Sequence, residues 1–284
     1  MTALLALASA ILIGGADFVG GIASRIANGI RVAAFAQVAG LAVALPLSVA
    51  YGAERLGGAD VAWSLLSGIL LGGGFGCFYT AMGRGLISVV APVAAVTGAV
   101  IPVVYALARG ERPGLTAVIG LVIALVAIAV VSVAPAAEQH EDAGAVDRTV
   151  IALSLVSGVF FGAFYITFSR ISEDAGLWPI TLERLAAAAV LILIALALTR
   201  GPIVGLRRLL PYAITIGALE VAATVPLLLA LQRGPLAIAS VLSSLYPVTT
   251  LLLAGIVLRE RLSRLQYAGV ACALVAVALV SSGA

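Results

Sequence analysis

The chain contains no lysine, a single histidine and two cysteines, and only 10% of its 284 residues are charged. Each shortage excludes something. Without lysine there is no G-x-x-x-x-G-K loop, so ATP is not a direct energy source through this chain. The lone His140 lies in the acidic run Glu138-Gln139-His140-Glu141-Asp142 and reads as a solvated loop residue. Cys77 and Cys272 each sit in an apolar stretch with no C-x-x-C partner, which argues against a disulfide framework or a metal site. No H-E-x-x-H and no G-x-S-x-G occurs, so the common hydrolase signatures are missing. A net charge of +3 spread over short loops makes no case for nucleic acid. No cofactor, metal or catalytic residue is expected, and the chain is not expected to be an enzyme.

Apolar residues fill the space instead. They make up 63% of the chain, with a mean hydropathy of +1.21, far outside the range of water-soluble domains. Their solvent must be lipid. A spanning helix needs about 20 apolar residues, and ten segments qualify: 2–24, 31–51, 61–83, 87–108, 114–134, 150–170, 178–199, 209–232, 235–258 and 265–282. Gly52-Ala53-Glu54-Arg55, Arg109-Gly110-Glu111-Arg112-Pro113 and Gly201-Pro202 punctuate the breaks. The first segment lacks a basic leader and runs past any cleavage site, so it reads as a span, not a signal peptide. The expected class is an all-α, multi-pass protein of an inner (plasma) membrane. Arginine in place of every lysine points to GC-rich codons and a bacterial source.

The sequence repeats itself. A shift of 149 carries Ala81, Arg84 and Gly85 onto Ala230, Arg233 and Gly234, and Glu111-Arg112 onto Glu260-Arg261. A shift of 147 carries Gly15-Ala16 onto Gly162-Ala163. Residues 1–134 and 150–284 are therefore expected to be two five-helix units joined by an acidic linker, 135–149. An odd number of spans per unit inserts the second copy upside down. Inverted repeats of this kind are a recurring architecture of secondary transporters, with the substrate site near the midplane between them. One chain supplies both halves, so a monomer suffices.

Several motifs carry a resemblance. Gly-Glu-Arg (110–112) and Arg-Glu-Arg-Leu (259–262) follow the fourth segment of each unit, Ser-Val-Val-Ala-Pro (88–92) opens segment 4, and Glu-Arg-Leu (183–185) lies early in segment 7. In order and spacing they resemble the EamA-type members of the drug/metabolite transporter superfamily. The position in segment 2 where that family carries arginine is Gln37 here, and its tryptophan near the first glycines is replaced by Ile13 and Phe161. The resemblance implies a carrier, usually an exporter, of amino acids, other metabolites or drugs, with both termini in the cytoplasm. The loop arginines, counted alone, put both termini outside. A multidrug carrier of lipophilic cations, a membrane-embedded enzyme and a non-transporting scaffold are the alternatives.

Ionisable groups at membrane depth cost from about 2.5 kcal/mol upward and so face a cavity or a partner. Asp17, Glu183, Arg184 and Glu220 qualify. Glu220, in the middle of segment 8, is the leading proton carrier, since desolvation disfavours the charged form of a carboxyl group; a pair with Arg184 is the structural alternative. Asp17 follows Gly14-Gly15 and is expected to meet an amine or a proton from the cavity. Arg184 is expected to face the cavity, where it orients substrate or neutralises Glu220 or Asp17; Gln37, its equivalent by the repeat, stands on the opposite wall, where a packing hydrogen bond is its better reading. Tyr79 and Tyr165 are candidate lining residues, and Tyr246 and Ser243 add a ring and a hydroxyl on segment 9, where helix packing explains the hydroxyls equally well. Gly68, Gly72 and Gly76 mark a close helix contact. Pro92, Pro102, Pro226 and Pro247 are candidate hinges. Glu111 and Glu260, with Arg112 and Arg261 beside them, are expected to cap segments 5 and 10 and to form ion pairs. The expected mechanism is alternating access, in which the two units rock about a central cavity in the bilayer and a small-molecule substrate exchanges against a proton.

Overall fold

In the computed structural model, described for residues 1–24, 26–82, 87–137, 148–199, 206–259 and 262–282, every span forms a helix. Of residues 82, 87–89, 91–92, 131–137 and 206 only the backbone is described. The first unit comprises α1 (Thr2–Ser24), α2 (Gly29–Tyr51), α3 (Gly58–Met82), α4 (Ile87–Ala108) and α5 (Leu115–Ala137). The second comprises α6 (Arg148–Phe168), α7 (Trp178–Leu198), α8 (Leu206–Arg233), a divided ninth span of α9 (Leu236–Ser243) and α10 (Tyr246–Val257), and α11 (Arg264–Ser282). Eight spans have the length and hydropathy to cross a bilayer, and α4 and α5 supply two shorter apolar stretches, 93–108 and 115–130. With ten crossings, the start of α1 and the end of α11 share one face, called here the terminal face; the end of α5 and the start of α6 lie on the other, called the linker face.

The division of the ninth span has a local cause. Pro247 has no N–H to continue the ladder, and sits in the first turn of α10. Leu245 N and Val248 N turn instead to the carbonyls three residues back, at Leu242 and Leu245. Pro247 thus ends one helix and begins another. Pro102 and Pro226 lie inside continuous helices, and the side chain of Pro92 is outside the described residues.

Packing follows the duplication. The first helix of each unit lies on the third and fourth spans of the other: α1 on α8, α9 and α10, α6 on α3 and α4. The second helices, α2 and α7, cross each other at the centre, and α5 pairs with α11 at the side. Exchanging the units leaves this pattern unchanged, as an inverted repeat requires. Large apolar side chains on the outside, among them Leu4, Val49, Leu193, Leu196 and Leu274, face lipid.

Small residues set the separations. Along α3, Gly68, Gly72 and Gly76 face Glu183, Ala187, Val190 and Ile194 of α7. A Cβ at Gly68 would stand 2.2 Å from the Glu183 carbonyl oxygen, a contact that only movement of α7 could relieve. Gly68→Ala is therefore expected to destabilise the protein by about 1–3 kcal/mol, the usual cost of overpacking. The check is a lower thermal midpoint of the purified protein than that of Gly73→Ala, whose added methyl meets a Phe160 ring at 3.3 Å.

Glu111 does something other than what its position suggests. Its two carboxylate oxygens accept from Leu236 N at 2.9 Å and Ala237 N at 3.2 Å, so it caps α9 of the second unit, not α5 just downstream. A carboxylate at that positive helix end ties the 4–5 loop of one unit to the broken span of the other. Arg112 is exposed and forms no ion pair with a described residue. Glu260 and Arg261 lie outside the described residues.

Candidate functional site

A cavity opens between the units in the half of the molecule toward the linker face. Ala16, Asp17 and Gly20 of α1, Val32, Ala33 and Ala36 of α2, Phe75 and Tyr79 of α3, and Ile216 and Glu220 of α8 line it. Four helices from both units therefore contribute, and the small side chains on α1 and α2 are what leave the space. Phe75, Tyr79, Phe78 and Phe161 form an edge-to-face aromatic wall, with Phe75 and Phe161 centroids 5.3 Å apart.

The two lining carboxyl groups are held very differently. Asp17 is exposed to the cavity and makes no hydrogen bond to a described residue. Tyr79 shares the lining with it, and Tyr165 and Tyr246 lie within electrostatic reach. Glu220 is anchored. Its Oε2 accepts from Arg184 at 2.6 Å and from Gln37 Nε2 at 2.9 Å. Arg184 also donates to Gln37 Oε1 at 2.7 Å, to Thr224 Oγ1 at 2.7 Å and to the Glu220 carbonyl at 3.3 Å. Only one edge of Glu220 reaches the cavity, its side chain being 15% exposed.

Two expectations are corrected by this arrangement. Arg184 does not face the cavity: it is 3% exposed, lies behind Glu220 and is not among the lining residues. Gln37 does not line an opposite wall but meets Arg184 directly, making the packing hydrogen bonds expected of it. The reason is the position of the symmetry axis. Gln37 and Arg184 are separated by 147 residues, the repeat shift itself, so a residue and its own duplicate touch where α2 crosses α7. Gly40 leaves room for the Arg184 side chain, and with Gly217 of α8, which faces Gly40 N and the carbonyl of Ala36, it lets α8 close on α2 beside the crossing.

Other candidates are placed as follows. Tyr165 is buried against Phe164 beside Ser244, and the Ser243 hydroxyl is spent on the Ala6 carbonyl, joining α9 to α1. Ser243 is thus a packing residue here.

The terminal face is closed by a ring of polar contacts. Asp60 accepts from Gly57 N at 3.1 Å and Ser172 N at 2.9 Å, Arg55 N donates to Asp174 O, and Arg233 pairs with Glu173 at 2.9 Å. Arg170 reaches Tyr105, and Gln232 bonds the carbonyls of Ile171 and Ser172. Sequence reasoning did not single out Asp60; an acidic residue in the first turn of α3 was its only signal.

Comparison with known proteins agrees with this architecture. The model of the EamA-like transporter family matches residues 1–133 and 148–282, that is, both units and little of the linker. A solved crystal structure superposes with a TM-score of 0.77, covering 99% of this chain and 96% of that one at 19% identity. None of the curated proteins compared with the chain matches it.

Proposed function

The chain belongs to the EamA-like transporter family, and we propose that it is a secondary-active exporter of small metabolites that works by alternating access with proton exchange. The observation that carries this reading is the cavity between the two units, with an unpaired carboxyl group, Asp17, at its surface and a salt-bridged one, Glu220, at its floor. Substrate enters from one face while the other is sealed, as the contacts among Asp60, Ser172, Glu173 and Arg233 seal the terminal face here.

The lining also favours a class of substrate. It offers two carboxyl groups and aromatic faces and no cation among the lining residues, while Arg184 behind Glu220 is walled off and already committed. A protonated amine finds a counter-charge at Asp17 and cation–π surface at Phe75 and Tyr79. Amine-bearing metabolites, amino acids among them, and lipophilic cations share that chemistry; a simple anion has no partner among the lining residues. Asp17 replaces Glu220 as the leading proton carrier, because it is the carboxyl group free to exchange with the cavity.

The test is flux of a panel of amino acids, polyamines, lipophilic cations and simple carboxylates into proteoliposomes, with and without a pH gradient. Gradient-driven movement of amine-bearing compounds, with carboxylates ignored, is the expected result. Transport of simple anions in preference to amines would overturn the substrate class, and flux indifferent to the gradient would overturn proton exchange.

A further inference from the structure

Glu183 is the most completely buried acid among the described residues. It is 0% exposed, and neither of its carboxylate oxygens has a hydrogen-bond partner. The charged groups that act on it are Arg184, whose Nε lies 3.3 Å from Oε2 without hydrogen-bond geometry, and Glu220 of α8. From α3, what meets it is the backbone at Gly68. One guanidinium therefore stands between two carboxyl groups. Arg184 gives its directed bonds to Glu220, which Gln37 also supports, and gives none to Glu183. An ionised carboxylate left dry and without a donor is far more costly than the neutral acid.

The repeat says what this position is for. Under the shifts of 147 and 149, three of the ten lining residues, Ala16, Val32 and Glu220, fall on Ala163, Pro179 and Leu71, the first and last of them half-buried. The other seven, Asp17, Gly20, Ala33, Ala36, Phe75, Tyr79 and Ile216, fall on Phe164, Thr167, Ile180, Glu183, Thr224, Leu228 and Ser67. That set of seven lies toward the terminal face and is packed shut: each member is at most 8% exposed, and Ser67 bonds Thr167 at 2.8 Å. Two inverted units exchange conformations when such a protein reverses its access, so the packed set is the lining of the cavity that opens at the terminal face. Glu183 is the acid of that lining.

We infer that Glu183 is a second proton site, loaded in the closed conformation seen here and emptied to water when the terminal face opens, with Arg184 passing from Glu220 to Glu183 as it does so. The step is a simple dissociation: the Glu183 carboxylic acid loses its proton to water, and the carboxylate left behind takes a bond from Arg184. Glu220, released from Arg184, becomes free to take up a proton in turn. This rests on the alternating-access reading above, and gives each half of the protein its own acid: Asp17 on the linker side and Glu183 on the terminal side.

The experiment uses the full chain with Cys77→Ser and Cys272→Ser, a reporter Ser67→Cys in the packed set, and a water-soluble maleimide as the probe, in proteoliposomes across a range of pH. Divided at each pH by the rate for the same cysteine in the unfolded protein, which removes the thiol's own ionisation, the labelling rate is expected to rise about tenfold per pH unit through one transition, as a single deprotonation requires. Glu183→Gln should hold labelling low at every pH, whereas Glu183→Asp should keep the transition at a displaced midpoint. An unchanged pH profile in Glu183→Gln, with the transition intact, would overturn the role of Glu183 and leave alternating access standing. A reporter that never labels in the parent protein at any pH would remove alternating access, and this inference with it. Should the glutamine variant fail to fold, the midpoint in Glu183→Asp decides: no displacement overturns the assignment.

Discussion

Replacing Arg184 with glutamine is expected to lower stability by about 3–5 kcal/mol, the usual cost of removing one partner from a buried ion pair. The side chain makes four directed bonds to three residues, and all of them are lost or shortened out of reach at once. Glu220 and Glu183 would then share the site with no cation between them. Lysine should recover little, because one ammonium cannot reproduce the planar fork that serves Gln37, Glu220 and Thr224 together. The double variant Gln37→Arg with Arg184→Gln is expected to recover most of the loss. Its rationale is the symmetry: the two side chains reach one point from helices that exchange places under the repeat, so a guanidinium arriving from α2 finds the same Glu220 oxygen that Gln37 already touches. The check is the thermal midpoint of purified protein, followed through Trp63 and Trp178 fluorescence, for the single and double variants. A double variant no more stable than Arg184→Gln would show that the cluster depends on the approach from α7, not on charge at the axis.

How far the sequence alone carried the structure depends on what sets each feature. Span positions were legible within a few residues, because hydrophobic length is a property of contiguous sequence. The helix starting at Leu206 begins earlier than the apolar count suggested, since Arg207 and Arg208 sit in its first turn and hydropathy counts against them. The Gly68, Gly72 and Gly76 contact was legible for the same reason: spacing of four on one helix face needs no partner to be seen. Partners are another matter. Glu111 stands beside α5 in sequence but caps α9, more than a hundred residues away, because the crossing of the two units brings that helix end to it. Gln37 and Arg184 were matched by the repeat but sent to opposite walls. Knowing that two residues are duplicates does not say how far each stands from the axis, and these two stand on it. The division of the ninth span at Pro247 was open in the sequence as one hinge among four; only the packing of Ser243 on Ala6 and the local turn at Leu245 select it.

Asp17→Asn is expected to reduce gradient-driven transport to the level of protein-free vesicles while leaving exchange of substrate for substrate largely intact. The argument is one of chemistry at constant shape. Asparagine keeps the volume of the side chain and can still bond an amine through its carbonyl oxygen, but it cannot bind and release a proton. Because Asp17 makes no hydrogen bond to a described residue, its replacement breaks nothing in the resting structure, and stability should hardly change. Glu220→Gln is the informative contrast. It too removes a titratable carboxyl group, but it takes from Arg184 the carboxylate it bonds in this conformation and leaves only the undirected contact with Glu183, so both modes of transport and the thermal midpoint should fall together. Proteoliposomes loaded with unlabelled substrate measure exchange; an imposed pH gradient in otherwise empty vesicles measures coupling. If Asp17→Asn abolishes exchange as well, the residue binds substrate and the coupling proton must be sought elsewhere. If it abolishes neither, the free carboxyl group in the cavity is no part of the transport cycle. Loss of coupling with exchange retained is the one result that requires a proton to bind at Asp17, and it is the result the geometry favours: a carboxyl group with no competing donor, facing the space through which the substrate moves.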